Sequence, residues 1–297
     1  MSGPLVSVII PTFNRSDLLS YTLRSIYQQK LAGASLEVIV VDDGSTDDTA
    51  AVAEQYARQG NLHYYYQQDL GRRVARARNL GLDHARGSIC LFVDSGVLLG
   101  AHCIAQHLRS HLNCPQAAAV LGYVYCFDNG NNEGALLQRV IDPLNPDDSI
   151  EAFRAAGRHL DLRDDFYLRY GDNLSNLPFP WVFFWTCNVS VQTRALRAVG
   201  AFDVAYDLNW GMEDIDLGYR LHGARVTTLL NRQAHSIHYP HHKDEAENLR
   251  QQAINKALFH HKYNTPETAL FLRYLWEMND LNLSEYATSP LLSYPTA

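Results

Sequence analysis

The first hundred residues alternate between short apolar runs and longer segments whose apolar residues recur at helical spacing. The clearest run, at 38–41, is β-branched and apolar at consecutive positions, which is typical of an interior strand of a parallel sheet. The apolar runs and the helical segments follow one another in the order β-α-β-α-β-α-β, which predicts a parallel, doubly wound sheet. The predicted strands are 5–14, 38–41, 62–68 and 88–96, and the predicted helices are 16–29, the segment from Asp47, and 71–87.

Beyond residue 96 the pattern becomes looser. Residues 128–180 are rich in Asn, Asp, Gly and Pro, and a loop of this length in a compact domain indicates a functional insertion or lid. The tail from 231 begins His-rich and continues with helical periodicity. We therefore expect an α/β domain over 1–230 and a helical appendage over 231–297. The other predicted elements are helices at 101–112, 193–203 and 210–226 and strands at 117–127 and 181–192.

Composition narrows the functional class. The chain has 297 residues, 46% of them hydrophobic, which is enough for a sizeable core. A formal net charge of -7 argues against a general nucleic-acid partner. Five scattered cysteines without CxxC spacing predict reduced thiols in the cytoplasm, rather than a zinc site or a disulfide framework.

No targeting or membrane segment is apparent in the sequence. The first fifteen residues lack a basic leading region, and their apolar run is short, so they predict a first strand and not a signal peptide. No apolar stretch approaches the length of a membrane span. We expect a soluble, cytoplasmic protein, and a homo-oligomer stays open.

Two adjacent acids, Asp42 and Asp43, follow the apolar run at 38–41 directly. In open α/β sheets, ligands bind at the carboxyl ends of strands. Acids that only cap a helix or solvate a turn would explain Asp47 and Asp48, but they explain poorly a pair that precedes Gly44. The pair is therefore a candidate ligand-binding site.

Five segments, in this order and spacing, resemble glycosyltransferase family 2, the inverting GT-A transferases. The resemblance implies a GT-A domain, which is a Rossmann-like, mainly parallel sheet flanked by helices. Its donor-binding half would cover about 1–96 and its acceptor half about 97–230, followed by the His-rich loop and helical appendage of 231–297. The matching segments are VSVIIPTFNR near the start, VIVVDDGSTDDT after it, ARNLGL at 77–82, LFVDSG at 91–96 and WGMEDIDLGYRL at 210–221.

The resemblance assigns a nucleotide-sugar donor to the strand ends. The first acidic pair would read the base, since a carboxylate accepts the imide N–H of uracil or thymine. The arginines at 72, 73, 76 and 78 either form a solvated face paired with acids or neutralise the donor diphosphate, and Arg78 matches the family's Ala-Arg-Asn. The predicted nucleotide-sugar-binding residues are Pro11, Thr12, Asp42, Asp43, Arg73, Arg78, Asp94 and Ser95.

The chain departs from the family at the metal motif, because the family's Asp-X-Asp reads Asp94-Ser95-Gly96 here and Gly96 offers no side-chain ligand. Carboxylate oxygens in that motif hold Mn²⁺ or Mg²⁺ against the diphosphate. Two alternatives follow: a depleted site in which Asp94 is helped by a histidine, or arginines that neutralise the diphosphate without metal. His238 is the predicted histidine ligand, and a surface histidine run without a ligand is its alternative.

Acids open the predicted helix at 210–226. Acids stabilise any helix N-terminus, so a purely electrostatic role is one interpretation of Glu213, Asp214 and Asp216. The family resemblance implies another, in which Asp214 is the general base that deprotonates the acceptor and Glu213 orients it. Trp181, Trp185 and Trp210 are the predicted acceptor-binding residues, because sugar rings stack on aromatic side chains; core packing is the alternative for the first two.

The resemblance therefore implies an inverting transfer of sugar from a UDP- or dTDP-linked donor to an acceptor nucleophile. A degenerate, non-catalytic sugar-nucleotide binder is the alternative that Gly96 favours and the intact WGMEDIDL segment opposes. A nucleotidyltransferase would need a glycine-rich, lysine-containing loop near the N-terminus, and IIPTFNRSD is not one. The acceptor stays open among polysaccharide, lipid-linked glycan, peptide and small natural product.

Overall fold

The computed structural model describes residues 5–31, 33–127 and 131–281. Within them, eight strands form one sheet in the order β3-β2-β1-β4-β7-β6-β8-β5. The strands are β1 Leu5–Thr12, β2 Ser35–Asp42, β3 Leu62–Tyr66, β4 Ile89–Val93, β5 Val97–Leu99, β6 Ala118–Tyr125, β7 Asn188–Gln192 and β8 Thr227–His238.

The sheet has a parallel half and a mixed half. Strands β3, β2, β1 and β4 run parallel, as the chain order predicts. Strand β7 is antiparallel to both β4 and β6, β8 is parallel to β6, and β5 is antiparallel to β8. The mainly parallel sheet of the prediction is confirmed, and β7 joins its two halves.

Helices cover both faces of the sheet, which explains why β2 is apolar at consecutive positions. Val38 and Val40 face one core cluster, together with side chains of α1 and α4, whereas Ile39 and Val41 face the other, with side chains of α3 and α9. The helices are α1 Ser16–Tyr27, α2 Thr49–Ala57, α3 Val74–His84, α4 Cys103–Asn113, α5 Asn131–Val140, α6 Pro146–Ala156, α7 Asp164–Tyr170, α8 Thr193–Ala198, α9 Glu213–Gly223, α10 Glu245–Tyr263 and α11 Pro266–Phe271.

Three sequence-based expectations need correction. The 128–180 segment is not a loop, because its described part forms helices α5, α6 and α7. The strand expected over 181–192 starts only at Asn188, since Pro180–Phe183 forms a 3₁₀ turn. The boundary expected at residue 230 cuts through β8, so the sheet-forming domain includes the first histidines of the predicted tail. Within the described residues, no helix is long and apolar enough to cross a membrane.

A buried polar chain links α4 to β7. His107 Nε2 lies 2.8 Å from Asn188 Oδ1, its Nδ1 lies 2.9 Å from Ser190 Oγ, and His111 Nε2 lies 2.8 Å from the same hydroxyl. Burial lowers the pKa of His107 to about 4 and that of His111 to about 3. Both imidazoles are therefore neutral in the folded protein at neutral pH.

We expect acid to destabilise the protein through these two histidines. Their folded-state pKa values lie below the unfolded value of 6.5, so the unfolded chain binds more protons as pH falls. Stability should decrease below pH 6.5 by up to about 1.4 kcal/mol per pH unit for each histidine, down to its folded pKa. Chemical denaturation between pH 7.5 and 5 measures this slope. His107→Gln should reduce the slope and the exposed His261→Gln should not; an unchanged slope in His107→Gln would contradict the assignment.

Candidate active site

The carboxyl ends of β1, β2 and β4 meet at one edge of the sheet. Thr12 pairs with Asp42 in the strand register, and the Thr12 carbonyl accepts the Asp43 N–H at 2.9 Å. The Thr12 hydroxyl lies 3.4 Å from the Ser95 hydroxyl in the turn after β4. Pro11 precedes Thr12 on the same strand. The predicted donor residues of these three strands are therefore neighbours.

The two acids of the first pair have different environments. Asp42 Oδ1 accepts the N–H groups of Gly44 and Ser45, and its Oδ2 accepts the Tyr64 hydroxyl at 2.6 Å. With 1% of its surface exposed, Asp42 holds the turn after β2. Gly44 is required there, because its φ is 99° and a Cβ would collide with the backbone of Asp69.

Asp43 is held by the segment that precedes α3. Its Oδ1 accepts Gln67 Nε2 at 2.6 Å and the Arg73 guanidinium at 3.0 Å, and its Oδ2 accepts the Arg73 backbone N–H at 2.7 Å. A carboxylate has about four acceptor positions, so Oδ2 retains one for a ligand. Arg73 is therefore an ion-pair partner of Asp43. Asp42 supports the turn after β2.

Arg78 joins the turn after β4 to the first turn of α9. Its guanidinium donates to Glu213 Oε1 at 2.7 Å and to Asp94 Oδ1 at 2.9 Å, and it lies over the Phe202 ring at 5.4 Å. Burial opposes the charge of this guanidinium, yet the two carboxylates outweigh burial and raise the pKa of Arg78. The cation is therefore permanent, and it connects α3, the turn after β4 and α9.

Asp214 is an acid of this site whose pKa is raised towards neutrality. It is partly exposed on the first turn of α9, beside buried Glu213, whose Oε2 has no hydrogen-bond partner. Burial raises the pKa of Asp214 to about 7; the Glu213 charge adds to the rise and Arg78 opposes it. A carboxylate of this kind takes a proton more readily than an ordinary aspartate, which suits a general base.

The loop before α9 is hydrogen-bonded to α3 and to the residues just before α3. Asp207 Oδ1 accepts the Ala75 N–H of α3 at 3.0 Å, and the Leu208 N–H donates to the Arg72 carbonyl at 2.6 Å. Leu208 and Met212 both have positive φ values, 75° and 83°, so the loop has a strained path. Burial raises the pKa of Asp207 to about 6. Sequence reasoning missed Asp207, because a contact across 132 residues leaves no local signal.

Asp216, the third acid of α9, belongs to the scaffold. It is completely buried, and its Oδ1 accepts Lys262 Nζ and the Tyr263 hydroxyl of α10, each at 2.7 Å. Its Oδ2 accepts Arg220 Nε at 2.7 Å. These bonds fix α9 against α10, so Asp214 and Asp216 have different surroundings even though both lie in the first turn.

The predicted metal ligands lie on neighbouring backbone segments. Val97, just after the Asp94 turn, pairs with His238 at the end of β8, and the Tyr239 N–H donates to the Gly96 carbonyl at 2.9 Å. His238 Nδ1 is buried without a hydrogen-bond partner. Burial, followed by the charges of Lys243, His241 and Arg15, lowers the pKa of His238, so the ring is neutral as a metal ligand must be.

Asp94 and His238 are too few to hold a metal ion alone, so a bound donor would have to supply further ligand atoms. Within the described ranges, no cluster of three or more His, Cys, Asp or Glu side chains could hold an ion. Gly96 contributes no side chain, and one Asp94 oxygen already accepts Arg78. A cation here would rest on Asp94, His238 and oxygens of a bound diphosphate.

Positive charge also surrounds Asp94. Burial lowers the pKa of Arg15, while Asp94 raises it and Arg72 lowers it, so the two arginines lie within electrostatic range of each other. Burial also lowers the pKa of Arg72, while the charges of Glu213 and Asp94 raise it. Arg72 was one of the four arginines considered from the sequence for the diphosphate, whereas Arg15 was not singled out as a site residue. The PTFNR segment was the available signal for Arg15.

The three predicted acceptor tryptophans have different positions. Trp181 is 1% exposed and packs against Tyr219, Phe259 and Phe271 in the core, so it is not accessible to an acceptor and that prediction is withdrawn. Trp185 and Trp210 are partly exposed. Trp210 lies in the loop before α9, next to Gly211, whose carbonyl accepts Asn255 Nδ2 at 2.7 Å.

Solved structures with this fold are GT-A glycosyltransferases. The mannosyltransferase PcManGT from Pyrobaculum calidifontis, in complex with GDP-Man and Mn²⁺, matches with a TM-score of 0.58 and 18% identity over 90% of this chain and 67% of that chain. S. aureus TarS 1–349 in complex with UDP-GlcNAc matches with a TM-score of 0.56 and 17% identity over 92% and 77%. The fold and the acid-lined strand ends define a GT-A protein.

Sequence comparison gives the family. The model for Glycosyl transferase family 2 matches residues 7–176. A validoxylamine A glucosyltransferase from Streptomyces hygroscopicus subsp. limoneus is 35% identical over 90% of this chain and 59% of its own length. The uncharacterized glycosyltransferase YfnE of Bacillus subtilis (strain 168) is 32% identical over 79% and 64%. The chain belongs to glycosyltransferase family 2, and it spans about three fifths of the length of these relatives.

Proposed function

We propose that the protein is an inverting glycosyltransferase that uses a nucleotide diphosphate sugar. The observation that carries the proposal is the shared Arg78 bridge, since one buried guanidinium holds a donor-side acid, Asp94, and an acceptor-side acid, Glu213. Reacting groups that must meet in line need such fixed placement. Family membership and the GT-A fold support the same reaction class.

The donor would lie along the ends of β1, β2 and β4. Asp43 would accept the imide N–H of a uracil or thymine, with Pro11 and Thr12 beside it, and Ser95 and Asp94 would face the diphosphate. Arg73 would hold Asp43 in place rather than touch the phosphates. The Streptomyces relative is named as a glucosyltransferase acting on validoxylamine A, so UDP- or dTDP-glucose and validoxylamine A are the first donor and acceptor to test.

Asp214 would deprotonate the acceptor hydroxyl, with Glu213 orienting it. The hydroxyl oxygen then forms a bond to the anomeric carbon as the bond to the diphosphate oxygen breaks, from the opposite face, and this single displacement inverts the configuration. Because Asp214 must be ionised and its pKa is raised to about 7, turnover should rise with pH through that region. Charge on the leaving diphosphate is the main electrostatic demand.

Mn²⁺ or Mg²⁺ is proposed as the cofactor, held by Asp94 and His238 and by the donor. The ion would supply Lewis-acid stabilisation of the leaving diphosphate. Arg15, Arg72 and Arg78 would supply part of the same positive charge from the protein itself.

The direct test is an assay of donor turnover with the acceptor present and absent. Release of UDP or dTDP from the sugar donor, with inverted anomeric configuration in the product by NMR, is the expected result. A protein that binds these nucleotides in calorimetry, yet releases no sugar, is instead the non-catalytic binder that Gly96 favours. Retained anomeric configuration would exclude the single displacement.

Asp43→Asn should weaken binding of UDP or dTDP by more than about 1 kcal/mol, because the charge-assisted hydrogen bond to the base is lost. Asparagine is preferable to alanine, since its amide oxygen can still accept a hydrogen bond from the mostly buried guanidinium of Arg73, whereas alanine offers no acceptor. Calorimetry on the folded variant measures the effect. Asp48→Asn, an acid at the start of α2, is the control, and equal affinity in both variants would remove Asp43 from base recognition.

Chelation should lower activity without abolishing it. With Gly96 in the motif and three arginines nearby, we expect metal dependence that is weaker and less selective than an intact Asp-X-Asp site gives. Turnover before and after exhaustive treatment with EDTA, followed by addition of Mn²⁺ or Mg²⁺, measures this. Full activity after chelation would leave the arginines alone to neutralise the diphosphate.

A further inference from the structure

Three aromatic side chains that are each partly exposed come together beside the site. The Trp185 ring lies 4.9 Å from Phe127 at the end of β6 and 5.8 Å from Trp276 near the end of the described chain. We call Phe127, Trp185 and Trp276 the aromatic wall. Its members come from three distant parts of the sequence, and the general packing of the core does not bury them completely.

Two separate structural routes place the aromatic wall next to Asp94. First, β7 pairs with β4 so that Asn188 faces Val93, which brings the residues just before β7 alongside the Asp94 turn. Second, Phe127 lies 5.3 Å from the His238 ring, and His238 pairs with Val97 just after that turn. The raised pKa of Cys187, two residues after Trp185, agrees: burial is its main cause, Arg163 opposes the rise, and Asp94 and Asp214 add to it.

Trp185 rests on a buried cation. The guanidinium of Arg163 lies over the Trp185 ring at 4.6 Å and is itself only 1% exposed. Each of its three nitrogens donates a hydrogen bond: two bonds of 2.8 Å go to Asp161, and one of 2.9 Å goes to the Phe183 carbonyl. Asp161 Oδ2 also accepts the Val124 N–H of β6 at 2.8 Å.

This support belongs to the 128–180 segment, which the sequence analysis interprets as a functional insertion or lid. The segment contributes Asp161 and Arg163, which are tied to β6 and to the 3₁₀ turn before β7. A buried ion pair seldom increases stability over an apolar pair of the same volume, so its value is more readily explained by the geometry that it imposes. Here that geometry fixes the ring of Trp185.

We propose that the aromatic wall is the acceptor subsite, that it takes the apolar C–H face of a pyranose or cyclitol ring, and that Arg163 is the positioning residue that fixes Trp185. The proposal rests on the proposed function, since an acceptor is needed only if glycosyl transfer occurs. Asp214 and Glu213 would meet the hydroxyls of the ring, and the wall would meet its apolar face. Aromatic surfaces recognise such ring faces better than flexible acyclic chains, which have no preformed face to stack.

The test separates acceptor binding from donor chemistry. Donor hydrolysis by water and transfer to validoxylamine A, methyl β-glucoside, myo-inositol, acyclic sorbitol and a serine peptide are measured with UDP- and dTDP-glucose. Trp185→Leu should raise the KM of the cyclic acceptors about tenfold, as loss of aromatic stacking implies. It should leave donor KM and hydrolysis nearly unchanged.

Arg163→Lys keeps the charge beside Asp161 but loses the planar fork. It should therefore raise acceptor KM like Trp185→Leu, whereas a purely charge-stabilising role would let lysine rescue it. Arg158→Met is the matched control, because Arg158 lies in the same segment with its side chain exposed. Its acceptor KM should equal that of the wild type. If the lysine variant does not fold, Trp185→Leu alone decides.

Each outcome has a distinct meaning. A wild-type protein that turns over no donor overturns the proposed function and this inference with it. Donor turnover together with an unchanged KM for cyclic acceptors in Trp185→Leu overturns the inference alone. Transfer to sorbitol or to the serine peptide, but to none of the rings, overturns the acceptor class.

Discussion

Asp214→Asn should lower turnover by about 10²–10⁴-fold, the usual contribution of a general base. The substitution preserves shape and the helix start, but an amide cannot take the acceptor proton. Donor affinity should stay near the wild-type value, because the proposed donor residues lie at the ends of β1, β2 and β4, whereas Asp214 lies on α9. Steady-state turnover and calorimetry with UDP or dTDP measure the two quantities.

The appropriate control for Asp214 follows from the structure. Asp216 is unsuitable, since its carboxylate holds Lys262, Tyr263 and Arg220, and its loss should reduce stability whatever its role in the reaction. Glu245→Gln removes an exposed acid from the first turn of α10 and tests the helix-end effect alone. Near-normal turnover in Asp214→Asn would exclude Asp214 as the base. This holds even if Asp214→Asn and Glu245→Gln lose the same amount of stability.

The pH dependence gives a second view of the same carboxyl group. With the pKa of Asp214 near 7, the folded protein holds a proton that the unfolded chain has released above about pH 4. This group should therefore weaken folding as pH rises towards 7, while activity increases. Opposite trends in stability and turnover over one pH range are expected for a catalytic group whose surroundings raise its pKa.

Local pattern was sufficient for the donor half of the fold. The run at 38–41 is apolar on both faces because β2 lies between two core layers, and that information is present in consecutive residues. The rest of the fold was harder. Helices α5 to α7 lie among Asn, Asp, Gly and Pro residues that are typical of loops, and the segment is held by contacts such as Asp161 with β6, which leave no local signal. Strand β8 was missed because its histidines are more typical of a loop than of a strand.

The candidate site shows the same division. Asp43, Asp94 and Asp214 were found from strand ends, helix starts and motif order, and the structure brings them to one edge of the sheet; their roles remain proposals. Trp181 was misassigned because an aromatic run cannot distinguish a core ring from a surface ring. Partnerships across the fold, such as Asp207 with α3 and Arg163 with Trp185, are invisible until the chain has folded.

Arg78→Met is expected to have the largest effect on stability. The guanidinium is buried between Asp94 and Glu213, and its removal leaves Glu213 as a buried, uncompensated charge. Breaking a buried ion pair by removing one partner typically costs about 3–5 kcal/mol. Chemical denaturation measures the loss, and Arg78→Lys, which keeps a charge but reaches fewer acceptors, should lose less. Wild-type stability in Arg78→Met would mean that the bridge is not formed in solution.

The same substitution should also move the pH profile. Arg78 lowers the pKa of Asp214 and Glu213 raises it, so Arg78→Met should shift the acid limb of turnover to higher pH. Adding Glu213→Gln removes the raising charge and the orphaned acid together. The double variant should therefore recover stability and return the limb towards the wild-type position, while turnover stays low because Glu213 no longer orients the acceptor. An acid limb that stays at the Arg78→Met position in the double variant would show that the Glu213 charge does not act on Asp214.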